Sequence, residues 1–335
     1  MSTHPFNTMQ AAVAVEHQQP LDVQTLQKPS PAAGQVLVRV MASAVNPLDT
    51  KISAGKGGHA QQALPAVLGM DLAGVVEQVG AGVTAFAVGD EVYGMAGGIG
   101  GHQGTLAQYI VADADLLARK PNTMSMREAA ALPLIFITAW EGLVDRANVR
   151  SGQKVLIHGG AGGVGHVAVQ IAKARGADVF ATGSAHSRAA IERFGATAID
   201  YRSSSVDDYM ALHTGGEGFD IVYDTVGGST LDASFAAAKI YTGHVLSCLG
   251  WGEHALAPLS FRGATYSGVF TLLPLLTGKG RKHHGEIMAE ATRMAEAGQL
   301  QVLLDEQRFT LAEVNQAYER VSRAGNQGKV VIDIA

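Results

Sequence analysis

Hydrophobic positions change their period twice along the chain. Up to about residue 120 they fall in short runs: residues 11–15 and 36–41 are rich in Val and Ala, the second alternating through Val36, Val38 and Val40. A period of two buries one face of a strand. Further strands are predicted at 72–79, 91–93 and 109–117, parted by Gly80-Ala81-Gly82 and Val88-Gly89-Asp90, where glycine permits positive-φ turns. Many short strands with glycine turns predict a small barrel-like all-β unit. A helix is predicted over 125–132, with Ser125 and Glu128 at capping-box spacing.

From residue 154 the rhythm becomes strand, helix, strand. Strand 154–158 leads to helix 164–175, stopped by Gly176; strand 178–182 leads to helix 187–194, ended by Gly195; strands 219–226 and 243–249 follow. Alternating βα units predict a parallel, doubly wound sheet, so the fold class is α/β. The tail changes again. It reads as helix 286–297 stopped by Gly298, strand 303–309, a Thr310/Glu313 capping box opening a helix to about Ala324, and strand 329–334. A piece of that size has no core of its own, so it is expected to return to the first domain. The expected division is 1–132 with 283–335, and 133–282 between them. No repeat of 20–50 residues is evident.

Composition narrows the class. A length of 335 residues suits two domains, and 47% hydrophobic content is ample for their cores. The 41 glycines exceed the roughly 23 that ordinary usage would give, yet no collagen-like period exists. A formal charge of −5 offers no basic field for nucleic acid or an anionic membrane. The one cysteine, Cys248, excludes an internal disulfide and any Cys-cluster zinc site. The opening MSTHPFNTMQ lacks a basic and then apolar leader, and the longest apolar run, 129–140, is interrupted by Pro133 and too short to span a bilayer. A cytoplasmic location is the expectation.

The segment Lys154-Val-Leu-Ile-His-Gly-Gly-Ala-Gly-Gly-Val-Gly165 carries the most chemistry. A buried strand runs through a glycine turn directly into an apolar-periodic helix, with Gly159, Gly162 and Gly165 spaced by three. That arrangement supplies a tight turn, close backbone approach to a pyrophosphate, and close helix–strand packing. The helix N-terminus offers free N–H groups to the anion. It predicts a dinucleotide site. A second glycine-rich run, 97–104, follows no long strand and opens no helix, and reads as a flexible loop. An NAD site would place Asp or Glu about 20 residues after the fingerprint, against the ribose 2′-hydroxyl. Here Thr182-Gly183-Ser184 stands instead, followed by His186 and Arg188. A hydroxyl and a guanidinium suit a 2′-phosphate, so NADPH is the expected cofactor. The plainer alternative is that Arg188 decorates a helix face.

Together, residues 40–49 (VMASAVNPLD), 68–80, Val88-Gly-Asp-Glu-Val-Tyr-Gly94, 132–140, 158–165 and Gly328-Lys-Val-Val resemble the zinc-independent medium-chain dehydrogenase/reductases of the quinone oxidoreductase (ζ-crystallin-like) branch. The resemblance implies a GroES-like β-barrel-type catalytic domain beside a Rossmann domain, and a homodimer. Zinc members carry a ligand Cys where this chain has Asn46, and Gly-His-Glu where it reads Gly69-Met70-Asp71. His283-His284 reads as a solvated pair, so no metal is expected. Without a Lewis acid, a conjugated acceptor is the natural substrate. NADPH-dependent reduction of a quinone or an activated C=C is implied.

Site residues carry over by position. Asn46 and Asp49 match the loop that reaches nicotinamide and substrate, with a turn residue before Pro47 as the plainer role for Asn46. Thr138 matches a position beside the nicotinamide, and Gly163 and Val164 present backbone to the pyrophosphate. Tyr201 matches the 2′-phosphate side of the adenosine pocket. Thr225, Ser247, Cys248 and Leu249 line the adenine and ribose crevice, and Phe270 and Arg323 match cofactor-contacting positions. Asp224 could equally cap a strand end. Two other functions stay open: a 2-enoyl-thioester reductase, which calls for a tyrosine just after Asp49 where Thr50 and Lys51 stand, and a non-catalytic NADPH-binding protein with a redox-sensing or structural role.

Overall fold

The computed structural model describes residues 7–323 and 328–335. The chain divides into two compact units. In the first, β1 (Thr8–Ala14) pairs with β2 (Asp22–Gln27), and β3 (Gln35–Ala44) runs into helix α1 (Pro47–Ser53). Short β4 (Ala66–Val67) joins β1, and β5 (Asp71–Val79), β6 (Glu91–Met95), β7 (Tyr109–Asp113) and β8 (Leu117–Arg119) follow. Helix α2 (Met126–Ala130) opens on the predicted Ser125/Glu128 capping box. β3 is the spine: it pairs antiparallel with β5 on one side and, along its first half, with β7. Two register shifts against β5 bend it, as bulges do where sheets curl.

The second unit starts within helix α3 (Pro133–Trp140) and alternates β9 (Lys154–His158), α4 (Gly163–Ala174), β10 (Asp178–Gly183), α5 (Arg188–Arg193), β11 (Thr197–Asp200), α6 (Val206–Thr214), β12 (Ile221–Asp224), α7 (Ser229–Ala237), β13 (His244–Ser247), α8 (Ala257–Phe261) and β14 (Thr265–Gly268). Every strand pairing here is parallel, in the order β11-β10-β9-β12-β13-β14. β9 and β12 are covered on both faces and read as apolar runs, Val155-Leu-Ile and Ile221-Val-Tyr. Phe219, Phe235, Leu156, Val222 and Val245 form one buried cluster. Each such side chain contributes roughly 1.5–3 kcal/mol by leaving water.

The tail returns to the first unit: α9 (Leu273–Thr277), α10 (Arg281–Glu296), β15 (Phe309–Thr310), α11 (Val314–Ser322) and β16 (Val331–Asp333), which pairs antiparallel with β3. The first unit resumes at Leu272, ahead of the 283 expected, because residues 272–282 are tied to its loops. His102 Nε2 lies 3.2 Å from the Leu275 carbonyl, and Arg281 donates to Asp113 at 2.9 Å. None of the described helices is long and apolar enough to cross a membrane.

Several sequence expectations are corrected. The strand predicted over 109–117 breaks into β7 and β8 around a one-turn helix at Ala114–Leu116, where Asp113 caps the Asp115 amide. The strand predicted over 303–309 shrinks to β15. Helix α10 begins five residues early, so His284 is buried at 1% exposure; only its neighbour His283 is solvated. The run 97–104 is a packing device: a Cβ on Gly97, Gly98 or Gly104 would come within 2.4 Å of a backbone oxygen. These three glycines serve close contact where the sequence suggested looseness, while Gly101 has open space around it. Ala324, the predicted end of the last long helix, lies outside the described residues.

Candidate functional site

Parallel register brings the carboxyl ends of four strands to one edge of the second unit. His158 stands opposite Asp224, and Asp224 opposite Ser247. Thr182, one step past the Ala181–Ile157 pair, points its hydroxyl at this edge: Oγ1 accepts from the Gly159 amide at 3.3 Å and lies 3.1 Å from His158 Nδ1. The glycine turn then closes on itself, Gly160 N–H donating to Thr182 O at 2.9 Å and Gly162 N–H to Gly159 O at 2.8 Å. There is no room for side chains. A Cβ on Gly165 would sit 2.0 Å from the Gly159 oxygen, and one on Gly160 2.5 Å from Ala181 Cβ.

Helix α4 starts on Gly162, whose lack of a side chain leaves the first-turn amides of Gly163, Val164 and Gly165 uncapped. Those amides and the helix dipole suit a pyrophosphate, so the residues present fit a dinucleotide. The same edge gathers Ser184, Thr225, Cys248 and Leu249. Thr225 Oγ1 donates to His158 O at 2.6 Å, and Leu249 N–H to Ser247 Oγ at 3.1 Å. Asp224 is the strand-end cap: it takes the Ser247 hydroxyl at 2.7 Å and the Gly227 amide at 2.9 Å. Burial lowers His158 to about 4, so it is neutral near pH 7, and burial pushes the Cys248 thiol up to about 12.

At the ends of β10 and β11, Ser184 Oγ lies 2.9 Å from Ser187 Oγ, and the Tyr201 amide donates to Gly183 O at 3.3 Å. Tyr201 is exposed, and the Arg202 guanidinium stacks 5.7 Å over its ring. Arg188 pairs with Glu192 at 3.1 Å, both on the exposed face of α5, and His186 is exposed nearby. Arg202 was not among the sequence candidates: it lies in the turn after β11, its amide donating to Asp200 Oδ1 at 3.0 Å, and no periodic signal marks such a position.

Thr138 is held from below. The Tyr223 hydroxyl donates to its carbonyl at 2.7 Å, and α3 widens into a π-helical turn at Glu141–Arg146, with Gly142 lying flat on the Tyr223 ring. A Cβ at Gly142 would stand 2.7 Å from Tyr223 Cζ. Thr138 Oγ1 then lies 3.5 Å from Thr271 Oγ1, next to Phe270, whose ring meets Trp251 edge-on at 6.1 Å. Arg323 belongs to the other unit, at the C-cap of α11, paired with Glu319.

In the first unit, Asn46 and Asp49 enclose a buried polar cluster with two residues the sequence reading gave no role, Asp71 and Lys329. All four are at most 6% exposed. Pro47 starts α1 immediately after Asn46, and the Asn46 amide N–H donates to Asp49 Oδ2 at 2.8 Å. Asn46 Nδ2 donates to Asp71 Oδ2 at 2.8 Å, while Asp71 Oδ1 takes the Leu134 amide at 2.9 Å. Lys329 donates to Asn46 Oδ1 and lies 4.0 Å from Asp71 Oδ2. A zinc ion does not fit this donor set. An ammonium already occupies it, and no group of three or more His, Cys, Asp or Glu among the described residues could hold a metal.

Burial, reinforced by Asp71, raises the Asp49 carboxyl to about 7; burial raises Asp71 to about 6 against the pull of Lys329. Both carboxyls hold protons more tightly folded than unfolded, where they titrate near 4. Their favourable contribution is therefore complete below about pH 4 and is lost as pH rises through about 6–7. Asp49→Asn should raise the melting temperature at pH 8, by the equivalent of about 2 kcal/mol, and much less at pH 5. Calorimetry at both pH values checks this, and an equal shift at each would contradict it.

Residues 32–122 match the alcohol dehydrogenase GroES-like domain, and residues 194–332 the family described as zinc-binding dehydrogenase. An alcohol dehydrogenase superfamily protein from Novosphingobium aromaticivorans is similar at 56% identity and TM-score 0.96, covering 98% of this chain and 100% of that one. The quinone oxidoreductase from Coxiella burnetii is similar at 28% identity and TM-score 0.83, with coverage of 98% and 100%. The 2-methylene-furan-3-one reductase of Solanum lycopersicum is 35% identical over 308 residues, 89% of this chain and 71% of that protein. The spectinabilin polyketide synthase system protein NorB of Streptomyces orinoci is 34% identical over 301 residues; this chain matches over 90% of its length but spans only 13% of NorB. With the GroES-like unit, the parallel dinucleotide sheet and these relatives in hand, the chain belongs to the alcohol dehydrogenase superfamily, the medium-chain dehydrogenase/reductases, oxidoreductases that use nicotinamide cofactors.

Proposed function

We propose that this protein is an NADPH-dependent reductase that passes hydride to a quinone or an α,β-unsaturated carbonyl without zinc. The donor set of the buried cluster carries the reading: an amide, two carboxyls and an ammonium, where among the described residues no group of three or more His, Cys, Asp or Glu could hold a Lewis-acid metal. Such a site suits an acceptor made electrophilic by its own conjugation, where orientation and hydrogen bonding suffice. The names of the tomato and Coxiella relatives point to the same chemistry. Preference for NADPH rests on the end of β10, where Ser184 replaces a carboxylate and Arg188, Tyr201 and Arg202 stand close by.

NADPH, when bound, would supply the hydride and be oxidised to NADP⁺. The glycine turn and the α4 amides would hold its pyrophosphate, and Thr138 would position its reactive end. As the new C–H bond forms at the β-carbon, the C=C electron pair moves toward the carbonyl oxygen, which gains negative charge. Asn46 offers that oxygen an N–H, and a proton from water completes the product at the α-carbon. A quinone takes the hydride in the same way; protonation of the resulting oxyanion by water and tautomerisation of the ring give the hydroquinone.

A 2-enoyl thioester is the second reading, favoured by the polyketide synthase relative. Against it, the first tyrosine after Asp49 is Tyr93, fully buried, with its hydroxyl donating to Met288 O at 2.8 Å. Two copies are expected to join along β14, an edge strand whose surroundings expose Tyr241, Phe261 and Tyr266; light scattering reads the mass. The deciding experiment titrates NADPH and NADH, then follows reduced-nicotinamide absorbance with 1,4-benzoquinone, 2-cyclohexen-1-one and crotonyl-CoA. Turnover of the first two with NADPH supports the reading. Tight NADPH binding without turnover of any acceptor would point to a non-catalytic role, and turnover of crotonyl-CoA alone to the thioester.

A further inference from the structure

Lys329 is built into the fold with unusual care for a cation. Gly328 precedes it at φ +87°, packed so tightly that a Cβ would meet the Leu304 carbonyl carbon at 2.5 Å. The Lys329 backbone is clamped on both sides, its N–H donating to Leu303 O at 2.7 Å and its carbonyl accepting from Asp305 N–H at 2.9 Å. The side chain is aimed inward, 6% exposed, onto Asn46. A lysine is almost never buried without a task for its charge.

The task follows from what a carboxamide can do. It has one oxygen, which accepts, and one nitrogen with two hydrogens, which donate. Lys329 can only donate and holds the oxygen; the Asp71 carboxylate accepts one N–H. The amide therefore cannot be flipped, and the one donor left on the Asn46 side chain is its second N–H. A cation on the amide oxygen also draws electron density from the nitrogen, which strengthens that N–H as a donor. Around Asp49 and Asp71 the facing charged or titratable groups are Lys329 and, from α11, Tyr318.

We propose that Lys329 is a positioning residue of the reductase: it locks Asn46 with an N–H toward the acceptor oxygen and transmits positive charge to it through the amide. The proposal rests on the hydride-transfer reading above. In effect the site replaces a metal by an ammonium one amide removed from the developing oxyanion, a preorganised donor of the kind that stabilises negative charge in other enzymes.

The test is a double-mutant cycle between Asn46→Ala and Lys329→Met. Lys329→Met leaves Asp71 buried without its cation and can fail to fold, so it is also made with Asp71→Asn, which removes the orphaned charge. With NADPH saturating and 2-cyclohexen-1-one as acceptor, Lys329→Met/Asp71→Asn should lose 10- to 100-fold in kcat with KM within about threefold. Adding Asn46→Ala should cost little more, since both act through one amide. Lys329→Arg, which keeps charge and donors, should recover much of the loss. Additive losses, or a change confined to KM, would overturn the proposal.

A second measurement does not need turnover. 4-Nitrophenolate is an enolate-like oxyanion whose ionisation is visible in its absorption. With NADP⁺ present it should bind the wild type at least tenfold more tightly than Lys329→Met/Asp71→Asn. Equal binding, or none by the wild type, counts against Lys329. Lysine-dependent phenolate binding in a protein that reduces no acceptor would leave the role of Lys329 standing and remove the reductase reading instead.

Discussion

Ser184→Asp should weaken NADPH binding about 100-fold while changing NADH binding by no more than a few-fold. The substitution places a carboxylate at the end of β10, on the residue that precedes the short helical turn Ala185–Ser187. A carboxylate about 4 Å from a phosphate charge is opposed by roughly 4 kcal/mol at a partly exposed site before salt screening. A hundredfold loss corresponds to about 3 kcal/mol. Folding is spared, because aspartate caps a helix as well as serine does. Fluorescence titration with both cofactors, at one stated salt concentration, reads the ratio. Equal losses would mean that the 2′-phosphate is held elsewhere, and Arg202→Ala would then show whether the β11 end carries it alone.

Gly165→Ala should abolish dinucleotide binding and lower stability by about 3 kcal/mol. The new Cβ would lie 2.0 Å from the Gly159 carbonyl oxygen and 3.1 Å from Gly160 Cα. No rotamer relieves such a contact; either the turn opens or α4 withdraws from β9, and overpacking on this scale costs a few kcal/mol. Both escapes move the Gly163, Val164 and Gly165 amides off any phosphate. Gly58→Ala is the control, since nothing lies within 4 Å of its added Cβ and its φ is not positive. Thermal melts and NADPH titration distinguish the outcomes, and a Gly165→Ala protein that binds NADPH normally would contradict this account of the turn.

The strand, glycine turn and helix over 154–174 were legible because their physics is local. Strand, turn and helix lie within about twenty residues, and Gly162 and Gly165 both answer to the Gly159 carbonyl inside that stretch. Capping boxes at Ser125 and Thr310 were readable for the same reason. What escaped depends on distance in sequence. β2, Asp-Val-Gln-Thr-Leu-Gln, is an exposed strand beside β1 with no apolar face to announce it. His284 looked solvated beside Lys282 and Arg281 until α10 turned it inward. Lys329 was visible only as part of a Gly-Lys-Val-Val string. Its partners, Asn46 and Asp71, lie more than 250 residues earlier, and no periodicity links them.

The insertion of one unit within the other has a consequence for the order of synthesis. A ribosome releases the whole dinucleotide unit, apart from the short Gln299–Gln301 segment, while β16 and Lys329 are still unmade. Until that lysine arrives, Asp49 and Asp71 share a pocket with no counter-charge, and β3 lacks its last antiparallel neighbour. A nascent chain thus has a finished glycine turn in one unit and an unfinished polar cluster in the other. Ribosome-stalled chains ending before Gly328 should already bind NADPH, and only later ones should acquire the polar cluster.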